Sequence, residues 1–202
     1  MSANKNVLVD IEDNVAQIIF NRPLQRNSLS TATLQSLDRE LSNLLENPEV
    51  HSIILTGTRE VFLSGADIGE LATLDSELAN DFSLLGQSIT RKIATTRQVT
   101  IAAIHGYCIG GGLDIALACD IRLASQSAVF AHPGASLGII TGWGGTQRLP
   151  RIVGRSNANE LFLTCRRIDS NEALRIGLVS GIHDPVLKAA KQLALSKVTK
   201  SG

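Results

Sequence analysis

Aromatic residues are scarce in this sequence, and neither sign of charge is in excess. Phe, Trp and Tyr make up 3% of the 202 residues, and 19 basic side chains balance 19 acidic ones. Nucleic-acid binding needs a surplus of Lys and Arg on one surface, and single strands also need aromatic rings that stack on bases. The composition therefore excludes a dedicated nucleic-acid-binding protein.

Cysteines are few, and their spacing is unlike that of a disulfide framework or a zinc site. Cys108, Cys119 and Cys165 are odd in number and form no C-x-x-C pair. We expect free thiols in a reducing cytoplasm and no bound metal. The first 13 residues carry three acidic side chains where a signal peptide needs an apolar stretch, so we expect no secretion.

Long hydrophobic runs are also missing. The segment nearest to a membrane span, Ile101 to Cys119, contains His105, Asp114 and four glycines. An ionised Asp at the centre of a bilayer costs about 2.5–3.5 kcal/mol even on insertion scales. We therefore expect no membrane partner and interpret this segment as a buried strand, a loop and a helix.

The residues that are present predict one α/β domain over residues 1–195, followed by a polar tail at 196–202. Two β-branched runs, Val7 to Ile11 and Val15 to Phe20, predict a hairpin. Leucines spaced three and four apart after Ser30 predict an amphipathic helix capped by that serine. Further strand and helix patterns alternate along the chain, which favours a layered α/β fold.

The most informative local motif is Gly110-Gly111-Gly112-Leu113-Asp114, between a predicted strand and a predicted helix. Glycines let a ligand approach the backbone, and a helix amino terminus offers unpaired N–H groups to an anion. A tight strand-to-helix turn would need the same glycines, so both interpretations stay open. The nucleotide-binding patterns G-x-G-x-x-G and G-x-x-x-x-G-K-[ST] do not occur.

Asp114 falls in the first turn of that predicted helix, where a carboxylate often only complements the helix dipole. Its neighbours Leu113, Ile115, Ala116 and Leu117 are apolar. Such surroundings favour a carboxylate that faces a dry cavity and takes part in proton transfer.

Four segments together resemble the enoyl-CoA hydratase/isomerase (crotonase) superfamily. They are NRPLQRNSL near the start, FLSGADIGEL from Phe62, IAAIHGYCIGGGLDIALACDIRLAS from Ile101, and GWGGTQRLPRIVG from Gly142. The resemblance implies an α/β spiral of ββα units with mixed sheets, in which we expect the carboxyl-terminal helical region to be short or absent. It also implies a coenzyme A thioester as substrate, no further cofactor, and a homo-oligomer, either a trimer or a hexamer.

The resemblance also implies roles for individual residues. The backbone N–H groups of Ala66 and Gly111 correspond to those that hold the thioester oxygen in the family, and Ala66, Asp67, Ile68 and Gly69 would line the coenzyme A path. Gly69 stands where many members carry Lys, and Arg26 is a candidate to replace that charge.

Hydratases of this superfamily use two glutamates, and the matching positions here are Asp114 and Gly134. With one carboxylate, isomerisation, decarboxylation or a lyase step is chemically simpler than a two-acid addition of water. His132 is a candidate replacement acid/base. Alternation along an extended segment favours the other interpretation, in which its side chain faces away from Gly134.

The positions of two aromatic side chains near these motifs can also be predicted. Trp143 either forms a wall of the acyl pocket or packs in the core, and Tyr107 is expected in the core.

Two functional hypotheses follow. The first is an enzyme that forms a thioester enolate from an acyl-CoA, with Asp114 as acid/base. The alternative is a catalytically impaired protein of the same fold that binds acyl-CoA or a partner chain.

Overall fold

The computed structural model describes residues 5–196, so residues 197–202 of the predicted tail lie outside it. The predicted hairpin is confirmed: β1 (Val7–Glu12) pairs antiparallel with β2 (Val15–Phe20). Asp13 and Asn14 connect them with φ angles of 50° and 64°. Both angles are positive, as a two-residue hairpin turn that matches the twist of the strands requires.

Helix α1 (Thr31–Glu46) follows, and the side chain of Ser30 accepts a hydrogen bond from the Thr33 N–H at its start, as predicted.

Three successive strand pairs then divide between two sheets. The first members are β3 (Ser52–Gly57), β5 (Val99–Ile104) and β7 (Ile121–Ala124), and they lie in a six-stranded sheet. The second members are β4 (Val61–Leu63), β6 (Tyr107–Ile109) and β8 (Val129–Ala131), and they lie in a four-stranded sheet. Helices return the chain between pairs: α2 (Ile68–Leu71), α3 (Ser76–Thr95) and α4 (Gly111–Ala118). This is the predicted spiral of ββα units.

The remaining elements complete both sheets. They are α5 (Gly145–Val153), α6 (Arg155–Thr164), β9 (Ile168–Asp169), α7 (Ser170–Arg175), β10 (Gly181–Ile182) and α8 (Val186–Leu195). The strand orders are β1-β2-β3-β5-β7-β10 and β4-β6-β8-β9. The β1–β2 and β8–β9 pairs are antiparallel and the other pairs are parallel, so the predicted mixed sheets are confirmed.

Both faces of the six-stranded sheet are covered. In β3, Ile53 and Leu55 belong to the main core beneath α1 and α3, whereas Ile54 belongs to a second cluster on the opposite face. Successive side chains of a strand point to opposite faces, so a strand buried on both sides is apolar at every position. This explains why residues 53–55 of β3 and 101–104 of β5 are continuous hydrophobic runs rather than alternating ones.

The second cluster is covered by helix α8, for which the sequence analysis predicted no helix. Val186, Ala190 and Ala194 are buried at four-residue spacing against Val99 and Ile101 of β5. The buried stripe consists mostly of alanines between lysines, a weak signal because alanine buries little area. None of the helices within residues 5–196 combines the length and hydropathy needed to cross a bilayer.

The covered second face leads to a stability prediction. We expect Ile53→Ala and Ile54→Ala each to lower the free energy of unfolding by about 2–4 kcal/mol, because each leaves a cavity in a closed cluster. Leu8→Ala, at a position that is 37% exposed, is the control and should cost less than about 1 kcal/mol. Urea unfolding measures all three variants. An Ile54→Ala cost as small as that of Leu8→Ala would mean that α8 does not cover this face in solution.

Candidate active site

A cavity of about 310 Å³ opens between α3, the start of α4 and the loop that follows β8. Its lining is mostly apolar, and Asp114 and His132 are the titratable residues among the described side chains that line it. A wider cavity of about 610 Å³ adjoins it, and the two share Ser64, Ala66, Ile68 and Ile109. We call them the inner and the outer cavity. The shared residues form a junction through which one extended ligand could occupy both.

Two backbone N–H groups predicted to act together lie in this region: Ala66 is at the junction, and Gly111 lines the inner cavity. Gly110 begins α4 with φ 53°, and Gly111 is the first helical residue, so its N–H has no partner within the helix. A Cβ on Gly65 would lie 3.6 Å from the Gly111 nitrogen, so the chain just before Ala66 runs beside the helix start. Neither Ala66 N–H nor Gly111 N–H donates to an acceptor within residues 5–196. Both donors are therefore available to a ligand.

Asp114 lies in the first turn of α4 and is 1% exposed. Its Oδ1 is 3.1 Å from Nε2 of His132, and its Oδ2 accepts a hydrogen bond from the hydroxyl of Thr141. Both carboxylate oxygens thus have a donor, which offsets the several kcal/mol cost of removing a charge from water.

The expectation that His132 faces away from the site is wrong. Strand β8 ends at Ala131, and His132 has φ −128° and ψ 78° as the chain enters a 3-10 turn over Pro133–Leu137. The alternation of an extended strand no longer applies there, so His132 and Gly134 line the same cavity. Sequence analysis also missed Thr141, whose only signal was its place just before the Gly142 to Gly145 loop.

Gly134 places bare backbone in the inner cavity where hydratases of the family carry their second glutamate. A Cβ at this position would lie 2.8 Å from the carbonyl oxygen of Ile139. A side chain here would therefore require the Ile139 backbone to move. Gly134 is not among the residues with positive φ, so its backbone conformation would accept a side chain. What prevents a side chain here is the lack of space.

Trp143 satisfies both interpretations that the sequence left open. It is 5% exposed, its ring lies 5.3 Å from that of Phe82, and one side of it lines the inner cavity. A Cβ on Gly86 or on Gly111 would collide with the indole ring. The ring thus fills the space left by two missing side chains, one on α3 and one at the start of α4.

The residues predicted for the coenzyme A path, Arg26, Ala66, Asp67, Ile68 and Gly69, all line the outer cavity. Asp67 has structural contacts as well: it accepts a hydrogen bond from Ser28 at 2.9 Å and caps α2. Tyr107, expected in the core, is instead 43% exposed at the cavity wall because the short strand β6 turns that side chain outward. Arg167 lies 5.8 Å over its ring and was not predicted, since it is far away in the sequence.

Comparison with known proteins identifies the family. The family described as enoyl-CoA hydratase/isomerase matches residues 10–199. A short-chain-enoyl-CoA hydratase of Clostridium acetobutylicum is 40% identical over 192 residues, covering 94% of this chain and 74% of the relative. A peroxisomal Delta(3,5)-Delta(2,4)-dienoyl-CoA isomerase of Arabidopsis thaliana is 40% identical over 183 residues, covering 85% of this chain and 66% of the relative.

Solved structures agree. The crystal structure of an enoyl-CoA hydratase from Bacillus anthracis superposes with a TM-score of 0.91 at 38% identity, covering 94% of this chain and 75% of that one. The chain belongs to the enoyl-CoA hydratase/isomerase family and is an enzyme of that type. None of these similarities supports the alternative of a catalytically impaired binding protein.

The buried thiol beside the site gives a chemical prediction. Burial raises the pKa of Cys108 well above its ordinary value, and the nearby Cys119 and Asp114 raise it further. Cys165 is partly exposed. Only the thiolate reacts with iodoacetamide. We expect native protein at neutral pH to be labelled at Cys165 more than about tenfold faster than at Cys108, as read by peptide mass spectrometry. Rapid labelling of Cys108 in folded Cys165→Ser protein would contradict this.

Proposed function

We propose that the enzyme stabilises the enolate of an acyl-CoA thioester with the N–H groups of Ala66 and Gly111. The observation that carries the proposal is the position of these two donors, which are unpaired within the described residues: Ala66 lies at the junction of the two cavities, and Gly111 lines the inner cavity beside it. Fixed donors aimed at a developing oxyanion stabilise it strongly, and removing one typically costs ~3 kcal/mol.

The acid/base group of this proposal is the carboxylate of Asp114. It lies in the same inner cavity as Gly111 and is oriented by His132 and Thr141. In an isomerisation, the carboxylate takes a proton from a carbon next to the double bond, the electrons move into the thioester enolate, and the proton returns at a different carbon. One carboxylate is sufficient for that sequence.

The substrate divides between the two cavities in this proposal. The acyl chain occupies the inner cavity, among Phe82, Trp143 and other apolar side chains. The coenzyme A portion follows the outer cavity past Asp67, Ile68 and Gly69, with Arg26 near its phosphates. The thioester carbonyl then lies at Ala66, which both cavities share. We propose no cofactor besides this substrate.

Removing the charge of Asp114 tests the acid/base assignment. Asp114→Asn keeps size and hydrogen bonding but takes up no proton, so we expect kcat to fall by about 100-fold or more with little change in KM. A panel of enoyl-, dienoyl- and β-keto-acyl-CoAs identifies the reaction that the wild type catalyses. The emission of Trp143, the only tryptophan, measures binding independently. Unchanged kcat in Asp114→Asn would remove the carboxylate from the chemistry.

Assembly and compartment remain proposals too. The three free cysteines support a reducing, cytoplasmic compartment. Exposed apolar side chains outside the inner cavity support self-association, including Leu163, Leu174 and Leu195. We propose a homo-oligomer, either a trimer or a hexamer.

The proposed assembly is tested by light scattering. We expect a mass of three or six chains that does not depend on dilution across micromolar concentrations, because closed symmetric assemblies have saturated interfaces. A monomer at every concentration would contradict the proposal.

A further inference from the structure

We propose that His132 is a second acid/base group, and that its Nδ1 atom exchanges a proton with water or substrate in the inner cavity. The inference rests on the proposed function, because it assigns a residue to the same reaction. It replaces the lost carboxylate at Gly134 with an imidazole that enters the cavity from a position two residues earlier.

The first step of the argument is the placement of the hydrogen on the ring. Nε2 of His132 is 3.1 Å from Oδ1 of Asp114. A carboxylate is an acceptor only, so the ring nitrogen that faces it carries the hydrogen. In a neutral imidazole the other nitrogen, Nδ1, then carries a lone pair and is the atom able to take up a proton.

The second step is the surroundings of Nδ1. Within residues 5–196 this atom has no hydrogen-bond partner, the only hydrogen bond of the ring being the one to Asp114. In the same part of the chain, no fully buried side-chain nitrogen or oxygen lacks a partner. Nδ1 is therefore not enclosed by protein. His132 is one of the residues that line the inner cavity, and we assign that cavity as the space that Nδ1 reaches.

The third step is that the ring is held in place. His132 is 4% exposed, and the ring of Phe162 on α6 packs edge to face against it at 5.1 Å. Asp114 is fixed in turn by the hydroxyl of Thr141. The other titratable groups near this pair are Arg148 on α5, whose charge interacts with Asp114, and Cys108, whose raised pKa keeps it a neutral thiol. A fixed carboxylate that orients one ring nitrogen and leaves the other for chemistry is the arrangement of catalytic histidine–carboxylate pairs.

The pair can carry out the addition of water to an enoyl thioester with all protons accounted for. The water oxygen bonds to the β-carbon while Nδ1 takes one of its protons, and the double-bond electrons move into the enolate. The proton on Nε2 passes to Asp114. The resulting carboxylic acid delivers it to the α-carbon, which collapses the enolate to the saturated thioester. The pair ends with the same number of protons but with the hydrogen on Nδ1 instead of Nε2. Water in the cavity takes up the proton from Nδ1 and solvent returns one to Nε2, which restores the starting tautomer before the next turnover.

This assignment changes the expected reaction class. Addition of water needs one group that deprotonates the water and one that protonates the α-carbon. With Asp114 alone, hydration lacks a participant, whereas His132 and Asp114 together supply both. We therefore infer that hydration of a 2-enoyl-CoA is within the capacity of the site despite Gly134.

The experiment compares His132→Gln with wild type and with the control His51→Gln, at an exposed histidine outside the site. A glutamine amide can still donate to Asp114 but takes up no proton. We expect hydration of crotonyl-CoA to lose about 100-fold or more in kcat in His132→Gln, with KM changed by less than about threefold. The control His51→Gln should keep the wild-type kcat.

Two further measurements keep the outcomes separate. Nitrogen-15 NMR of histidine-labelled wild-type protein should show His132 with hydrogen on Nε2 and none on Nδ1, and the opposite tautomer would overturn the inference without any variant. If Asp114→Asn loses activity while His132→Gln keeps its rate, His132 only packs and this inference fails alone. If wild type neither binds nor converts any acyl-CoA, the proposed function fails together with it.

Discussion

The geometry of the site depends on how closely helix α4 packs against strand β4. A Cβ on Gly112 would lie 2.7 Å from the carbonyl oxygen of Leu63, so only a residue without a side chain permits this contact. The same contact holds the chain after β4, which contains Gly65 and Ala66, beside the first turn of α4. The backbone donors at Ala66 and Gly111 therefore come from segments far apart in sequence and are brought together by one close approach of two backbones.

A second constraint is the burial of Asp114. A charge removed from water must find donors nearby, and here they come from His132 after β8 and from Thr141 in the following loop. A Cβ on Gly145 would collide with the same carboxylate, so the start of α5 also approaches it closely. Three successive parts of the chain thus converge on a single side chain. That convergence shapes the inner cavity, because the loop between β8 and α5 forms its outer wall.

The parts of the fold that sequence analysis predicted correctly are those set by local rules. The hairpin of β1 and β2, the cap at Ser30 and the helix start at Gly110 each depend on residues within a few positions of one another. The resemblance then supplied the order of the ββα units and the candidate residues around Ala66 and Gly111. Asp114 was selected from its apolar neighbours alone, and the structure buries it as that pattern indicated.

The remainder could not be predicted because it depends on distant or irregular backbone. The direction of His132 follows from the dihedral angles at the end of β8, which no spacing rule encodes. Thr141 and Arg167 reach the site through loops and tertiary contacts, and neither lies in a periodic pattern. Helix α8 was missed because its buried stripe is alanine, a residue that packs well against a sheet and contributes little to any hydrophobicity pattern.

The double role of Trp143 has a consequence for how this enzyme can change during evolution. Trp143 is part of the core and also lines the inner cavity. A smaller side chain at this position would reshape the cavity and would also leave a void in the core. Another part of the wall is formed by Leu137, Ile139 and Ile140, which are 50–74% exposed. Substitutions there alter the cavity with little loss of packing. Under the proposed function, acyl specificity can therefore change with little loss of stability through residues 137–140, whereas a change at Trp143 also destabilises the core.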